Sequence, residues 1–179
     1  MSDHLIRKAD VSDAEELSAL IKESMTTYCE DSHIKSNRLE SMTESVESIA
    51  YRIKNSDCLC LIKEGRILGT ITLSVTDNPL KYSFSEKSEK ALKKYGRIGY
   101  ISRFAVRNSL RKTGLGVTLM NEALDLAAGY GLKGVVLHTA VENKGMAEFY
   151  GNRGFRLIDA ERSRGYLRGL WLIDITKAS

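Results

Sequence analysis

The stretch Arg111-Lys112-Thr113-Gly114-Leu115-Gly116 decides how the rest of this chain of 179 residues is interpreted. An extended apolar segment ends at Val106, and an amphipathic helix is predicted to begin near Gly114. A turn of this kind presents backbone N–H groups at the positive end of a helix, which suits a phosphate or a pyrophosphate. The glycines allow close approach of the main chain, and the two basic side chains add charge. The stretch therefore predicts a turn that binds a phosphate or a pyrophosphate.

Length and composition indicate one domain with a full core. The chain has 42% hydrophobic and 28% charged residues, a single proline and no low-complexity tract. We therefore expect residues 1–179 to form a single domain. The charged start argues against a signal peptide, and no apolar run reaches the roughly 18 residues of a membrane span. The expected location is the cytoplasm, and no membrane partner is expected.

The cysteines and histidines indicate neither disulfides nor a metal site. The three cysteines, Cys29, Cys58 and Cys60, are expected to be reduced thiols in or near the core. The histidines do not stand at ligand spacing from them, so no metal is expected.

The net charge of +4 is unevenly distributed. Residues 1–60 carry seven Lys and Arg against twelve Asp and Glu, whereas residues 61–179 carry twenty against eleven. The two acidic helices predicted in the first part are expected to lie away from the basic turn. Either these charges are solvated surface, or the basic part holds an anionic cofactor while the acidic part receives a cationic substrate. The basic stretch 87–112 lacks interleaved exposed aromatic residues, so no nucleic-acid partner is expected.

Hydrophobic periodicity predicts strands and helices along the whole chain. Strands are expected over Leu5–Lys8, Cys58–Lys63, Arg66–Val75, Ile98–Val106, Gly134–Thr139, Phe155–Asp159 and Tyr166–Thr176. Helices are expected over residues 12–28, 41–54, 114–130 and 143–153, and residues 85–95 are compatible with a further short helix. The first two helices open on predicted capping boxes, Ser12 to Glu15 and Ser41 to Glu44. Residues 27–37 are expected to be a polar connection, and residues 77–96 either a surface excursion or a lid.

A second segment makes the interpretation of the turn more specific. After the helix and a buried strand comes Asn143-x-x-x-Ala147-x-Phe149-Tyr150-x-x-x-Gly154-Phe155. The combination over residues 97–156 resembles the GNAT superfamily, the acetyl-CoA-dependent N-acetyltransferases. The resemblance implies an α/β (α+β) acyl-CoA N-acyltransferase fold, with a mixed, mostly antiparallel sheet of about seven strands flanked by about four helices. It implies acetyl-CoA as co-substrate, and it leaves a homodimer open because final strands of this fold often meet across dimers.

The resemblance also implies roles for particular residues. The pyrophosphate loop corresponds to Arg111, Lys112, Thr113, Gly114, Leu115, Gly116 and Val117. The strand end whose main chain pairs with the pantetheine arm corresponds to Phe104, Ala105 and Val106. Asn143 falls where a side chain commonly contacts that arm, and Tyr150 falls where the family usually places its general acid. The plainer alternatives are a helix N-cap for Asn143 and core packing for Tyr150.

The implied chemistry is direct attack of a primary amine on the acetyl thioester. Positioning of the two reactants does most of the work, and the N–H groups near Phe104 to Val106 are candidate donors to the oxyanion. The phenol of Tyr150 supplies a proton to the departing thiolate. Cys58 and Cys60 lie on an early strand away from the turn, which argues against a covalent thiol route.

The general base is less well defined. Many relatives carry a glutamate on the fourth strand, whereas residues 99–106 contain no carboxylate. His138 is a candidate base because its unperturbed pKa is close to neutral. The alternative for His138 is a hydrogen-bonded core or edge histidine. Glu142, Glu30 and Asp31 are weaker candidates for the base, and a water chain to solvent needs no dedicated residue. The missing carboxylate also supports the rival function of a non-catalytic acyl-CoA sensor.

The acceptor is expected to contact the connection between the first two helices. Its candidate residues are Tyr28, Glu30, Asp31 and His33. Their acidity favours a cationic small amine or a peptide amino terminus. Arg103 and the basic run from Arg162 to Arg168 favour instead an acceptor that bears a carboxylate.

Overall fold

The computed structural model describes residues 4–177. Within that range there are seven strands: β1 Leu5–Lys8, β2 Asp57–Lys63, β3 Arg66–Thr76, β4 Ile98–Val106, β5 Gly134–Ala140, β6 Arg156–Glu161 and β7 Arg168–Asp174. The same range contains six α-helices: α1 Ala14–Ser32, α2 Glu40–Thr43, α3 Val46–Asn55, α4 Glu86–Leu92, α5 Leu115–Gly129 and α6 Lys144–Gly151.

The strands form one seven-stranded sheet in the order β1-β2-β3-β4-β5-β7-β6. The pairs β1–β2, β2–β3, β5–β7 and β6–β7 are antiparallel. A tight turn joins β2 to β3, with positive φ at both Glu64 (51°) and Gly65 (75°), as a two-residue hairpin requires. The predicted α/β fold with a mostly antiparallel sheet of about seven strands is confirmed.

The chain divides into two compact units. Within the described residues, unit 1 spans 4–74 and 101–125, and unit 2 spans 75–100 and 126–177. The expectation of a single domain over 1–179 stays a prediction. The apolar face of α1 packs in unit 1 against α3 and the sheet, where the buried cluster is Ala14, Leu17, Leu20, Ile21, Ile49, Cys60, Ile67 and Ala105.

Residues 77–96 are packed into the core of unit 2. They form a short 3-10 turn, Pro79–Tyr82, followed by α4. The hydroxyls of Ser85 and Ser88 donate to the Asp159 carboxylate on β6, at 2.6 and 2.7 Å. The buried cluster of unit 2 is Leu92, Tyr95, Ile98, Val136, Ile158, Leu170 and Leu172. This segment therefore contributes a core layer of unit 2.

The first helix has a different start from the predicted one. Its capping box consists of Asp10 and Asp13, not Ser12 and Glu15, and it opens a short 3-10 turn before α1 begins at Ala14. The carboxylate of Asp10 accepts from the Ser12 N–H at 2.9 Å, and that of Asp13 accepts from the Asp10 N–H at 2.7 Å. Asp10 and Asp13 satisfy the exposed N–H groups at the start of the helix. The cap therefore begins two positions before the predicted serine, Ser12.

The helix predicted over 41–54 is two helices, α2 and α3. The chain is extended at Glu44 and Ser45 between them, and Ser45 caps α3 by accepting the Ser48 N–H at 3.2 Å. The predicted box from Ser41 to Glu44 is wrong because the Glu44 carboxylate is used in ion pairs with two arginines. Within residues 4–177, no helix combines the length and the apolar character needed to cross a membrane.

Candidate active site

The predicted pyrophosphate turn changes the chain direction sharply between β4 and α5. Lys112 and Gly114 both adopt left-handed backbone angles, with φ of 62° and 91°. A side chain is rare at such angles, so glycine suits the second position. A Cβ built on Gly114 would meet no atom within 4 Å. The space beside this turn is therefore open to a ligand.

The N-terminus of α5 directs its first amides out of the helix. The N–H of Thr118 donates to the Gly114 carbonyl at 3.0 Å. The amides of Leu115, Gly116 and Val117 precede it, and the first amides of a helix point along the axis rather than to an intrahelical carbonyl. At 15 residues, α5 is long enough to carry a full helix dipole. These amides fit an anionic group.

Helix α1 holds the segment that leads into the turn. The Glu23 carboxylate accepts from the Arg107 guanidinium and from the Asn108 N–H, both at 2.9 Å. The Arg111 guanidinium donates to the carbonyl and the hydroxyl of Ser24 at 3.1 and 3.2 Å. The hydrogen bond from the Asn108 N–H, together with the Arg107 guanidinium, holds the pKa of Glu23 below its ordinary value.

This contact corrects the expectation that the acidic helices lie away from the basic turn. Acidic α1 packs against it, because the half-buried Arg107 requires a carboxylate partner. Arg111 is engaged with α1, whereas Lys112 is exposed at the turn. Lys112 is therefore the more accessible of the two predicted basic residues.

Strand β4 contains a left-handed residue just before its predicted ligand-binding end. Arg103 has a φ of 51°, which is uncommon for a residue other than glycine. Such conformations cost about 1–3 kcal/mol and persist where the surroundings hold them. Phe104, Ala105 and Val106 follow directly and lie on the same strand.

A buried carboxylate holds Arg103. The Glu44 side chain is 5% exposed, and its Oε2 accepts from the Arg103 Nε at 2.7 Å. Its Oε1 accepts from the Arg52 guanidinium and from the Ser48 hydroxyl. Burial by itself would raise the pKa of Glu44, but the bonds from Arg103 and Arg52 outweigh burial and hold this pKa below its ordinary value. Sequence reasoning missed this group, because Arg103 lies 59 positions from Glu44 along the chain.

Replacing Glu44 with glutamine is expected to lower the free energy of unfolding by about 2 kcal/mol at pH 7, because two half-buried arginines lose their counter-charge. The folded-state pKa of Glu44 is depressed, so its contribution is present above about pH 4.3 and is lost as the pH falls through the folded pKa. The difference between parent and variant should therefore shrink below about pH 4. Urea denaturation at pH 7 and at low pH measures it.

Glu86 provides the control for this substitution. It pairs with Lys90 at 3.0 Å on the surface, with side chains 80% and 71% exposed. Glu86→Gln should therefore change stability by less than about 0.5 kcal/mol. Equal effects of the two substitutions would contradict the role given to Glu44.

Asn143 and Tyr150 both lie on or next to α6 in unit 2. The Asn143 side chain accepts from the Met146 N–H at 3.0 Å and caps the helix, so the N-cap alternative is observed. Tyr150 is buried and contacts the rings of Phe149 and Phe155 edge-on, at 5.5 and 5.7 Å between centroids. Their contacts with a cofactor or a leaving group stay predictions.

His138 uses both ring nitrogens in hydrogen bonds within unit 2. Its Nδ1 lies 3.1 Å from the Tyr100 hydroxyl, and its Nε2 lies 3.1 Å from the Tyr82 carbonyl. The ring of Phe84 stacks on the imidazole at 4.9 Å. His138 is thus a hydrogen-bonded histidine whose role as general base stays a prediction.

The surroundings of His138 keep its imidazole neutral. Burial is the main cause, and together with the positive charges of Arg168 and Arg164 it lowers the pKa of His138 to about 4. The Tyr82 carbonyl and the Glu161 carboxylate raise this pKa, but by less than burial and the two arginines lower it. A group with this pKa is a weak base at pH 7.

The four predicted acceptor residues lie at the end of α1 rather than in a loop. Tyr28, Glu30 and Asp31 belong to the last turns of the helix, and His33 is its left-handed C-cap with a φ of 54°. The prediction of a polar connection over 27–37 is wrong for residues 27–32, which belong to α1. The buried stripe of α1 continues there through small residues (Ser24, Cys29 and Ser32), which an apolar periodicity does not register. Glu30, Asp31 and His33 are exposed.

The predicted residues divide between the units. The pyrophosphate turn, the end of β4 and the end of α1 belong to unit 1, whereas His138, Asn143 and Tyr150 belong to unit 2. Within the described residues, no group of three or more His, Cys, Asp or Glu side chains is placed to hold a metal ion.

Known proteins share this architecture. The PaiA N-acetyltransferase from Thermoplasma acidophilum, solved in complex with coenzyme A, is 18% identical with a TM-score of 0.73, covering 97% of this chain and 99% of that one. A GNAT-family acetyltransferase from Streptococcus agalactiae is 16% identical with a TM-score of 0.75, covering 97% and 96%. These structures show the shared fold.

Sequence comparison identifies the family. GCN5-related N-acetyltransferase 4, chloroplastic, from Arabidopsis thaliana is 28% identical over 108 residues, which cover 60% of this chain and 35% of that protein. This chain thus spans about a third of the length of the curated relative that it matches. A model of the acetyltransferase (GNAT) family matches residues 18–155, more than half of the chain. The chain therefore belongs to the acetyltransferase (GNAT) family.

Proposed function

We propose that this protein transfers the acetyl group of acetyl-CoA directly to a primary amine. The observation that carries the proposal is the turn from Lys112 to Gly114, which opens directly onto the N-terminus of α5. The coenzyme A bound to the PaiA acetyltransferase of the same fold supports this donor.

The donor's pyrophosphate is bound by the main chain of the turn. The amides of Leu115, Gly116 and Val117 donate to phosphate oxygens, and the exposed Lys112 adds a positive charge. The positive φ and the open space at Gly114 fit close approach of the ligand. Thr113 keeps the turn in shape by donating its hydroxyl to the Leu110 carbonyl at 2.6 Å.

The end of β4 is proposed to position the thioester. The main chain of Phe104 to Val106 pairs with the pantetheine arm, and an N–H of this segment donates to the negative charge that develops on the carbonyl oxygen. The left-handed Arg103 sets the direction of that segment, and Glu44 holds Arg103. Acetyl-CoA supplies an activated acetyl group, and the protein supplies position and fixed donors.

Tyr150 is proposed as the general acid. Its phenol donates a proton to the departing thiolate, a role that suits an uncharged hydroxyl in a buried setting. Asn143 is proposed to contact the cofactor arm through its amide while its oxygen caps α6.

Transfer is proposed to be direct because the described thiols are poor nucleophiles. Cys29, Cys58 and Cys60 are free and buried. Burial raises the pKa of Cys60 to about 12 and also raises the pKa of Cys58 and Cys29. Thiolate is the reactive form, so a covalent acetyl-cysteine is disfavoured. Free thiols also suit the proposed cytoplasmic location.

The acceptor is proposed to bind as a cationic small amine or a peptide amino terminus at the acidic end of α1. Glu30 and Asp31 are exposed there, beside Tyr28 and His33. The amine must reach the thioester in its neutral form, and a water chain to solvent takes its proton without a dedicated carboxylate.

A thiol-release assay tests the proposal. Acetyl-CoA is supplied with polyamines, aminoglycosides, amino acids and peptides in turn, and isothermal titration measures acetyl-CoA binding separately. Release of thiol with at least one amine class is expected. Tight binding of acetyl-CoA without release for any amine would support instead the non-catalytic sensor.

A further inference from the structure

Two arginines of unit 1 share a single buried carboxylate. The Glu44 side chain is 5% exposed and accepts hydrogen bonds from Arg103 and Arg52, whose side chains are 16% and 25% exposed. Burial opposes ionisation of Glu44, but the bonds from the two arginines outweigh burial and hold its pKa below the ordinary value. We call these three residues the Glu44 cluster. Because arginine stays protonated in proteins, the cluster holds two positive charges against one negative charge.

The Glu44 cluster also has more hydrogen-bond donors than acceptors. A guanidinium carries five N–H groups, and Arg103 uses its Nε for Glu44 at 2.7 Å. Within residues 4–177, no group accepts from the Nη1 or the Nη2 of Arg103. Neither atom is among the buried polar atoms that lack a partner in this range, so solvent reaches both of them. The Nε of Arg52, by contrast, is buried and lacks an acceptor in the same range.

Two other pairs of arginine and carboxylate in unit 1 are balanced. Asp13 accepts from both the Nη1 and the Nη2 of Arg7, at 2.7 and 3.0 Å, so one carboxylate fills the forked end of one guanidinium. Glu23 accepts from Arg107 at 2.9 Å, again with one carboxylate for one arginine. The Glu44 cluster differs because its second arginine has no carboxylate of its own. A carboxylate from a ligand would restore the balance, since its two oxygens match the fork of Nη1 and Nη2.

The free end of Arg103 belongs to the part of unit 1 that is proposed to bind the reactants. Arg103 directly precedes Phe104 to Val106, the strand end proposed to hold the thioester. The same unit contains the pyrophosphate turn and the acidic end of α1. The phosphates of the donor are already assigned to the amides of the turn, so the anion left for Arg103 is one carried by the acceptor.

We propose that Arg103 binds a carboxylate of the acceptor through its Nη1 and Nη2, and that Glu44 is the positioning residue that holds the guanidinium by its Nε. The acceptor is then an amine that also carries a carboxylate, as an amino acid does, rather than a polyamine or an aminoglycoside. This inference rests on the proposed function and names the substrate class of the same site.

Matched amines that differ by one carboxylate test the inference. Lysine, glycine and phenylalanine are compared with cadaverine, methylamine and phenethylamine, and kcat/KM is measured for the pair that releases thiol fastest. Arg103→Gln should lower the ratio of the two kcat/KM values about tenfold, because a charge-assisted hydrogen bond to the carboxylate is lost. Comparing the ratio between proteins cancels the different basicity of the two amines. A merely structural role for Arg103 would lower both values together, so a ratio that changes less than about threefold would overturn the proposal.

Two further variants control for charge and for loss of an ion pair. Arg103→Lys keeps the positive charge without the fork and should retain more of the ratio than Arg103→Gln does. Arg7→Gln removes an arginine from its pair with Asp13 in the same unit and should leave the ratio unchanged. A change in Arg7→Gln as large as that in Arg103→Gln would overturn the proposal. Arg103→Gln still leaves Arg52 paired with Glu44, so the fold should persist, and thermal melting verifies it.

Isothermal titration gives a readout that is independent of acetyl transfer. With coenzyme A bound in place of acetyl-CoA, the dissociation constant of lysine should rise about tenfold in Arg103→Gln, whereas that of cadaverine should not change. Equal effects on both amines would overturn the proposal. Weaker binding of acetyl-CoA itself in Arg103→Gln would also overturn it, because it would assign Arg103 to a phosphate of the donor.

The two measurements distinguish failure of this inference from failure of the proposed function. Binding of lysine that depends on Arg103, without thiol release from any amine, would overturn acetyl transfer and support the carboxylate site. Thiol release with the same ratio in the parent and in Arg103→Gln would overturn the carboxylate site and leave acetyl transfer in place.

Discussion

Replacement of Tyr150 by phenylalanine is expected to lower kcat about 100-fold and to change the KM for acetyl-CoA by less than about twofold. Phenylalanine keeps the edge-on contacts with Phe149 and Phe155, so the packing of α6 is preserved. It removes the hydroxyl that is proposed to protonate the thiolate, and that step affects turnover rather than binding. Thiol release measured at saturating amine and varied acetyl-CoA separates the two constants.

Tyr95→Phe, which removes a hydroxyl that donates to Asp174 at 3.3 Å, is the matched control for this substitution. Tyr95 is 4% exposed and Tyr150 is 5% exposed, so each variant removes one hydroxyl from a buried ring of unit 2. Only the Tyr150 variant should lose turnover. An unchanged kcat would remove Tyr150 from the acid role and leave it as a packing residue.

The second large effect is expected at Gly114. Gly114→Leu should weaken acetyl-CoA binding by about 30-fold, because it places a side chain where the ligand approaches the helix amides and loses about 2 kcal/mol of charge-assisted hydrogen bonding. The φ of 91° adds strain for any residue with a Cβ. Isothermal titration with acetyl-CoA measures the dissociation constant directly.

Gly65 provides the control that distinguishes blocking of the ligand from backbone strain. It has a φ of 75°, its Cβ would also meet nothing within 4 Å, and it lies in the β2–β3 turn of the same unit. Gly65→Leu should therefore cost similar stability and leave acetyl-CoA binding unchanged. Unchanged binding in Gly114→Leu, or equal weakening in both variants, would count against the turn assignment.

The family could be predicted from short-range pattern. The spacing of Arg111, Gly114 and Gly116 after an apolar strand, together with the segment from Asn143 to Phe155, was enough to identify the family now confirmed by its match over residues 18–155. These features depend on neighbours within a few positions, because a turn and a helix N-terminus are built from adjacent residues.

Helix boundaries could be predicted less well. The cap of α1 is an Asp pair rather than a serine, and the helix extends to Ser32 on small buried residues. Competing capping residues lie within two positions of each other, and only the packed helix shows which of them satisfies the exposed amides. The sequence places the proposed acceptor residues in a loop because the small buried residues at the end of α1 do not register as an apolar stripe.

Side-chain partners far apart in the chain could not be predicted at all. Glu23 contacts Asn108 across 85 positions, Glu44 contacts Arg103 across 59, and Tyr100 contacts His138 across 38. Local periodicity assigns each residue to a strand or a helix, but it does not say which surfaces pack together. The family and the order of strands and helices along the chain thus follow from local pattern. The order of strands in the sheet, the Glu44–Arg103 ion pair and the Tyr100–His138 hydrogen bond follow instead from long-range packing, because burial forces charged and polar groups to find partners wherever the fold brings them.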